Sequence, residues 1–500
     1  MNKSGKARPY RILPHVTLPA LETTRQHISS TAGRGPSSLT TTTDSSFSSL
    51  SLPPAQLDNL TALGYERMTE IQRTALPLAL AKRDLIAQAK TGSGKTAAFA
   101  LPLLTRLNPR DFGTQALILC PTRELASQVA SEVRRLARYQ QNIKVVTLCG
   151  GQSIGPQIGS LEHGAHVVVG TPGRISDHLR KETLDISRVN TLVLDEADRM
   201  LEMGFVEDIT AIISKTPDSR QTMLFSATYP DDILSLSQRF QRSPERVSAE
   251  ESHSVDGITE KLFICQKSQR LRALVRLLSH FRPQAAVVFC NTKQLVREVQ
   301  EYLGQHNISS MALHGDMEQR DRDQVLTQFR QQSCSVLVAT DVAARGLDID
   351  DLPAVINFEL PRSADIYVHR IGRTGRAGKK GLAISLFADS ERYKLSNIEA
   401  YTERDLPFQA IEEVPHSVKT MPPPPYVTLC IAGGRKQKVR PGDILGALTG
   451  DAGIPGSAVG KIQVTDFASF VAIKHEQAEK ALQRLLDGKI KGRKFRVRRL

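Results

Sequence analysis

The chain has 500 residues, enough to bury several hydrophobic cores and, as a soft prior, about three domains. Its formal net charge is +14, and the excess sits at the ends: Tyr426–Leu500 holds 15 Lys+Arg against 6 Asp+Glu, and Met1–Ser46 holds 6 against 2. Such basic ends point to a polyanionic partner. No stretch approaches the roughly 18 apolar residues of a membrane helix, and the first thirty residues lack the apolar core of a secretory signal. Six cysteines occur without a Cys-x-x-Cys pair, and Cys120, Cys149, Cys265, Cys290 and Cys430 each close an apolar run. They read as buried reduced thiols of a cytoplasmic protein, not as a metal or disulfide framework.

Residues 1–46 are basic and then Ser/Thr-rich, the composition of a disordered arm. From Leu50 to Leu107 the pattern is helix, helix, strand, loop, helix. The loop is Ala89-Lys90-Thr91-Gly92-Ser93-Gly94-Lys95-Thr96, set between the apolar run Leu85–Ala87 and the helix-compatible Ala97–Leu101. Strand, glycine loop and helix start form the setting of a phosphate cradle, in which backbone N–H groups and a helix N-terminus face the anion. Lys95 is expected on the terminal phosphates of a nucleotide and Thr96 on Mg2+. Ala89 stands where the general pattern has glycine. Just upstream, Gln72 carries an amide that both donates and accepts, as reading an adenine edge requires.

Apolar strands then alternate with helical patterns, the signature of a parallel α/β sheet. Strands are expected at Ala116–Leu119, Lys144–Leu148, His166–Val169, Thr191–Leu194 and Met223–Phe225. Each runs into a polar loop: Pro121–Ala126, Gly150-Gly151, Thr171–Arg174, Asp195–Asp198 and Ser226–Thr228. Open α/β sheets bind ligands at the carboxyl ends of their strands. A second set of similar plan begins near Gly257, with strands at Ala286–Phe289, Ser309–Leu313, Val336–Ala339, Ala354–Asn357 and Leu382–Phe387. No tandem repeat is evident between the two sets.

Asp195 is placed to hold Mg2+ through water, and Glu196 to position or deprotonate an attacking water. Arg373 and Arg376 lie three apart in the second set. If that domain closes on the first, they can meet the γ-phosphate as arginine fingers, which are worth roughly 10³–10⁵ in rate. Half of the nucleotide site then lies on each domain, so hydrolysis requires closure. RNA bridging both domains would favour the same closed state.

Residues 418–425 end in Pro422–Pro425, a stiff linker. The tail that follows reads as a strand (Val427–Ile431), a helix (Pro441–Thr449), two strands (Gly460–Val464 and Ser469–Ile473), a helix (His475–Leu486) and a basic strand (Arg493–Arg498). This βαββαβ order is the plan of an RNA-recognition (RRM-like) fold. Phe470 fits one base-stacking position of its sheet, but Ala468 and Ile473 occupy the other two. Affinity is therefore expected from Arg435, Lys436, Lys438, Arg440, Lys489, Lys491, Arg493 and Lys494.

Together these motifs, from about Phe47 to Val414, resemble the DEAD-box RNA helicases of superfamily two. The resemblance implies an α/β fold of two RecA-like parallel-sheet domains in tandem, 47–252 and 253–417, followed by a small α+β domain at 426–500. It implies an RNA-dependent ATPase that uses ATP and Mg2+ to unwind short RNA duplexes. Ala89 is then the family's own residue, Ala89–Thr96 hold the phosphates, Gln72 reads the adenine and Asp348 meets the ribose. Phe47 lies about where the family stacks an aromatic on the base, and Met68 stands where most members have proline. Ser226 and Thr228 are implied to couple hydrolysis to strand separation, and His369 to link the γ-phosphate to them. Thr122, Arg123, Gly151, Thr171, Gly173 and Arg174 are placed on the RNA backbone, with Gln319, Arg322 and Thr340 completing the groove.

The stretches Leu429–Lys436, Arg440–Gly450 and Gly488–Arg493 resemble the C-terminal domain of DbpA-type helicases. This implies tethering to a hairpin of large-subunit (23S) rRNA and work on 50S assembly intermediates. A cytoplasmic monomer without membrane partners is expected. Two rival readings stay open: an ATP-gated RNA clamp without productive unwinding, and a DNA helicase, which the Asp-Glu-Ala-Asp form and the RNA-type tail disfavour.

Overall fold

The computed structural model of the chain describes residues 45–89, 92–228, 231–248, 257–344, 352–375, 380–416, 421–450 and 453–500. Among these residues, three β-sheets carry everything else. The first comprises β1 (Leu85–Gln88), β2 (Ala116–Leu119), β3 (Val145–Leu148), β4 (Val167–Gly170), β5 (Thr191–Asp195), β6 (Gln221–Ser226) and β7 (Glu245–Ser248). All neighbours are parallel, in the order β3-β4-β2-β5-β6-β1-β7. Strands such as β2, β4 and β5 are buried along their whole length, as a sheet covered by helices on both faces demands. One face packs under Phe99, Leu101, Val129 and Val133, the other under Ile175, Met200, Ile209 and Ile212.

The second sheet comprises β8 (Ile258–Ile264), β9 (Ala286–Phe289), β10 (Ser310–Leu313), β11 (Val336–Ala339), β12 (Ala354–Asn357), β13 (Gly381–Phe387) and β14 (Phe408–Ala410). Its order, β10-β11-β9-β12-β13-β8-β14, repeats that of the first sheet strand for strand. These two doubly wound, RecA-like units are called lobe 1 and lobe 2 below. The third sheet is antiparallel: β15 (Tyr426–Ile431), β16 (Val459–Val464), β17 (Ser469–Lys474) and β18 (Val497–Arg499), in the order β16-β17-β15-β18. The helices Pro441–Thr449 and Ala478–Asp487 cover one of its faces through Ile444, Leu448, Ala481 and Leu485.

The strands expected from apolar runs are all present, displaced by at most two residues at an end. Three others escape the apolar pattern. β7 and β14 are short strands at sheet edges, and β8 interleaves Glu260 and Lys261 with apolar residues. Neighbouring strands, more than their own composition, define them. The last strand is shorter than expected, because Ile490 and Arg493 instead pair across a turn. Met421, just before the prolines, is buried in the core of lobe 2, and Ser335 Oγ donates to Pro422 O at 3.4 Å. The linker at Met421 and Pro422 is thus packed onto lobe 2. The expected arm lies outside the described residues except for Ser45 and Ser46.

Candidate active site and nucleic-acid groove

β1 delivers the chain into the phosphate loop, and Ala89 N donates to Ser226 O of β6 at 3.0 Å. Lys90 and Thr91 lie outside the described residues, whereas Gly92, Ser93 and Gly94 lead into the helix Lys95–Thr105. Gln72 is buried, with its amide engaged at both ends. Its Oε1 accepts from Thr69 N at 2.9 Å, capping the helix Glu70–Leu80, and its Nε2 donates to Gly94 O at 3.0 Å. This residue therefore bolts a neighbouring helix to the loop.

Lys95 is buried, and its Nζ has no hydrogen-bond partner among the described residues. The same holds for Oδ1 of Asp195, at the end of β5. Burial pushes the Asp195 carboxyl up to about 6, with the Lys95 ammonium pulling it down and Glu196 adding to the rise. A buried ammonium and a buried carboxyl oxygen that lack hydrogen bonds are costly unless a ligand completes them. A phosphate for Lys95 and a hydrated divalent cation for Asp195 would do so, which is the fit that ATP with Mg2+ requires. Thr96 is the second residue of the same helix. Glu196 adopts left-handed backbone angles (φ 53°, ψ 52°) at the start of the helix Ala197–Glu202, a conformation rare for a side-chain-bearing residue and concentrated at functional sites.

Asp198 joins this acidic turn to the end of β6. Its Oδ2 accepts from the backbone N of Ala227 and of Thr228, both at 3.2 Å, and from Thr228 Oγ1 at 3.1 Å, while Ser226 Oγ donates to Thr228 O at 2.6 Å. The next residue crosses to lobe 2. Arg199 holds both carboxylate oxygens of Glu202 at 2.7 Å, donates to His369 Nδ1, and lies 3.8 Å from Asp365 Oδ2. Burial, and then the Arg199 guanidinium, push His369 down to about 4, against the opposing pull of Asp198 and Asp365. The imidazole is therefore neutral near pH 7 and accepts through Nδ1.

The cleft between the lobes is lined by Lys95, Glu196, Asp198 and Arg199 from one side and by Asp341, His369, Arg370 and Arg373 from the other. Arg376 and Asp348 fall outside the described residues. All five N–H groups of Arg370 are engaged. They reach both Asp341 oxygens (2.6 and 2.7 Å), Asn357 Oδ1, Glu359 O and Asn291 Oδ1. It ties together four strand ends and loops of lobe 2.

The residues expected on RNA converge at the strand ends beside this cleft. Thr122, Thr171 and Thr340 stand at the starts of the helices Arg123–Leu136, Pro172–Arg180 and Asp341–Ala344. The Thr122 hydroxyl accepts from Leu125 N (3.3 Å) and that of Thr340 from Ala343 N (3.4 Å), so both side chains cap the helices they precede. Gly173 is the second residue of its helix, and Arg174 Nη2 donates to Gln152 O at 2.9 Å. Arg123 lies directly on Gly151, where a Cβ would come within 1.6 Å of the guanidinium, and φ there is +72°. That positive φ is what favours glycine here, since the guanidinium, at the end of a flexible side chain, could give way. Across the groove, Arg123 Nη1 donates to Gln319 Oε1 at 2.8 Å, and Arg322 Nη2 pairs with Glu124 Oε1 at 2.9 Å. Glu124, Asp198 and Arg199 carry no signal of their own in the sequence, although Glu124 and Asp198 lie inside the polar loops named there and Arg199 directly follows one. No local pattern announces a partner nearly 200 residues away.

In the tail, Arg435 and Lys436 form a turn after β15, and Lys491 Nζ donates to Lys438 O at 3.2 Å, which brings the Lys489–Arg493 stretch alongside it. The expected stacking position is a correction. Thr428 and Phe470 point away from the helices but are buried (0% and 7% exposed), because lobe 2 covers that face. Gln331 Nε2 donates to the carbonyls of Lys461 and Phe470, both at 3.2 Å, and its Oε1 accepts from Thr428 Oγ1 at 2.8 Å. Ser333 Oγ bonds the same Thr428 hydroxyl at 2.7 Å, and Tyr426 N donates to Gln332 O at 3.4 Å. Phe47, the expected base-stacking aromatic, is buried and edge-on to Tyr65 at 6.0 Å. The six cysteines are free, and the described residues contain no helix long and apolar enough to cross a membrane.

Residues 69–236 match the family described as DEAD/DEAH box helicase, 269–378 the helicase conserved C-terminal domain, and 428–499 the DbpA RNA binding domain. The chain is 50% identical over 455 residues to the ATP-dependent RNA helicase DbpA of Escherichia coli K12, covering 91% of this chain and 99% of that one. It is 43% identical over 361 residues to the DEAD-box ATP-dependent RNA helicase CshA of Bacillus cereus, covering 72% and 69%. Among solved structures, Saccharomyces cerevisiae Dbp5 bound to RNA and ADP BeF3 superposes with a TM-score of 0.67 at 31% identity, covering 74% of this chain and 96% of that one. The split cleft, the strand-end loops and these likenesses agree: the chain belongs to the DEAD-box family of ATP-dependent RNA helicases and carries a DbpA-type RNA-binding domain.

Proposed function

We propose that the chain couples hydrolysis of ATP, with Mg2+, to separation of short RNA duplexes near an rRNA site held by its tail. The observation that carries this reading is the cleft lined from both lobes, with Lys95 Nζ in it and Asp195 Oδ1, next to the cleft residue Glu196, lacking hydrogen bonds. Bound there, the magnesium nucleotide supplies a phosphoanhydride bond and a cation that neutralises its charge. Lys95 meets the terminal phosphates, Asp195 and Thr96 hold the cation, and Glu196 takes the proton of the attacking water. Gln72, after releasing Gly94, reads the adenine, and Asp348 meets the ribose. Arg373 and Arg376 complete the charge stabilisation from lobe 2, so catalysis waits on closure.

The chain Thr228–Asp198–Arg199–His369 supports coupling, because it links the end of β6 to lobe 2 through consecutive residues of the acidic turn. The RNA groove uses Thr122, Arg123, Gly151, Thr171, Gly173 and Arg174 from one lobe and Gln319, Arg322 and Thr340 from the other. Phosphate and 2′-OH contacts there leave the core indifferent to sequence. Target choice falls to the tail, whose charge and likeness to DbpA support a hairpin of 23S rRNA and work on 50S assembly intermediates. Free, largely buried cysteines suit a reducing cytoplasm, and we assign a monomer of units 47–252, 253–417 and 426–500.

The test is Glu196→Gln. RNA-stimulated hydrolysis should fall by about 10²–10⁴, with ATP and RNA still bound. Release of a short duplex should require ATP and stall with a nonhydrolysable analogue. ATP-dependent retention of RNA with no duplex release under either nucleotide would replace the helicase reading with that of an ATP-gated clamp.

A further inference from the structure

An RRM-like domain ordinarily stacks bases on aromatics of its sheet. Here lobe 2 occupies that face, with Gln331 engaging Thr428 and the backbone of Phe470 and Lys461. Of the Phe and Tyr residues in the tail, Phe467 alone is exposed, at 70%, whereas Tyr426 and Phe495 are half-buried and Phe470 is buried. Phe467 stands at the tip of the turn between β16 and β17, which Thr465 closes by exchanging two hydrogen bonds with Ala468.

That tip is fixed against the basic turn. Arg435 N donates to Thr465 O and Lys436 N to Asp466 O, both at 2.9 Å, and Arg435 Nε lies 3.5 Å from Asp466 Oδ1. Gly434 makes the approach possible, since a Cβ there would sit 2.3 Å from Thr465 O. A protruding ring is thereby held beside two cations in a domain with an excess of nine positive charges (15 against 6). The tip also faces lobe 1: Arg134, on the helix that begins with Arg123, is pushed down by burial and then by Arg435, with Asp466 opposing.

We propose that Phe467 is the base-stacking residue of the tail, holding an unpaired RNA base while Arg435 and Lys436 grip the flanking phosphates. The proposal rests on the tail binding RNA and adds where it does so. An aromatic flanked by Arg and Lys is the chemistry of single-strand recognition: the ring takes any base face and the cations take the backbone. Its position on a loop, not a strand, leaves the sheet free to serve as the joint with lobe 2.

The chain contains no tryptophan, so Phe467→Trp installs a unique fluorophore. With the full chain and purified bacterial large-subunit rRNA as probe, its emission should be quenched on binding. That of Phe112→Trp, an exposed position in lobe 1, should not. Phe467→Ala should weaken rRNA binding about tenfold with the salt slope unchanged, and Phe467→Tyr should restore it. Arg435→Ala should instead flatten the slope by ~0.7. Triple replacement of Lys489, Lys491 and Arg493 by Glu serves as the reference. If it weakens binding while Phe467→Ala does not, the stacking role falls and RNA binding by the tail survives. If neither matters, both fall. Quenching by ribosomal proteins but not by rRNA would make the tip a protein dock and overturn the proposal.

Discussion

Lobes 1 and 2 share one strand order and differ in what stands at the strand ends. In lobe 1, Lys95 and Asp195 are buried with atoms that no described residue satisfies. In lobe 2, Arg370 is as deeply buried at the matching side of the cleft, yet every N–H finds an oxygen. Burial of charge means opposite things in the two places. An incomplete set of contacts marks where a ligand must arrive. A complete set marks a strut that keeps its neighbours, here His369 and Arg373, in position. The same topology thus yields a half that binds and a half that clamps.

The contrast between Arg370 and Arg373 gives the largest expected effect. Arg373→Ala should lower the RNA-stimulated turnover by roughly 10³–10⁵ with ATP affinity changed far less, as single-turnover kinetics would register. Unaltered turnover would remove the arginine-finger role. Arg370→Ala should act on the fold: it leaves the half-buried Asp341 carboxylate and the buried Asn357 amide oxygen without their donor, and lobe 2 should lose about 1–3 kcal/mol, seen as a lowered denaturation midpoint. A stable variant with normal folding would erase the distinction drawn between the two arginines.

Smaller effects test how the lobes touch. Glu124→Gln frees Arg322 from a competing carboxylate. Nucleotide-free RNA affinity should rise about threefold at low salt, measured by anisotropy, because phosphates no longer displace an ion pair. A fall would mean that Glu124 positions this arginine for RNA and does not compete with it.

A further effect is one of pH. His369 is held down to about 4, so between 6.5 and 4 the unfolded chain takes up a proton that the closed chain refuses. The contribution of the neutral imidazole is full above about 6.5 and drains away as pH falls toward 4. The difference in thermal midpoint between the chain and His369→Asn should therefore narrow across that window. A constant gap would show that Arg199 does not depend on a neutral acceptor there.

Much of this was legible residue by residue. Strands β2, β9, β11 and β12 match their apolar runs to the residue, because a strand buried on both faces must be continuously apolar. The phosphate loop and the Asp195–Asp198 turn announce themselves through short spacings that the chemistry itself imposes. β7 and β14 stayed hidden because edge strands need no such run. Phe470 misled for a related reason: an aromatic at a stacking position looks the same whether its face meets RNA or another domain.

Local order alone therefore determined which elements form and which residues carry reactive groups, since propensity, periodicity and loop chemistry act over a few neighbours. Only the tertiary structure decided how those groups meet: Arg199 on His369, Glu124 on Arg322, Gln331 across the tail's sheet. These contacts join residues about 100 to 200 positions apart. A hydrogen bond or ion pair depends on separation in space, to which such distant positions in the chain carry no local signal.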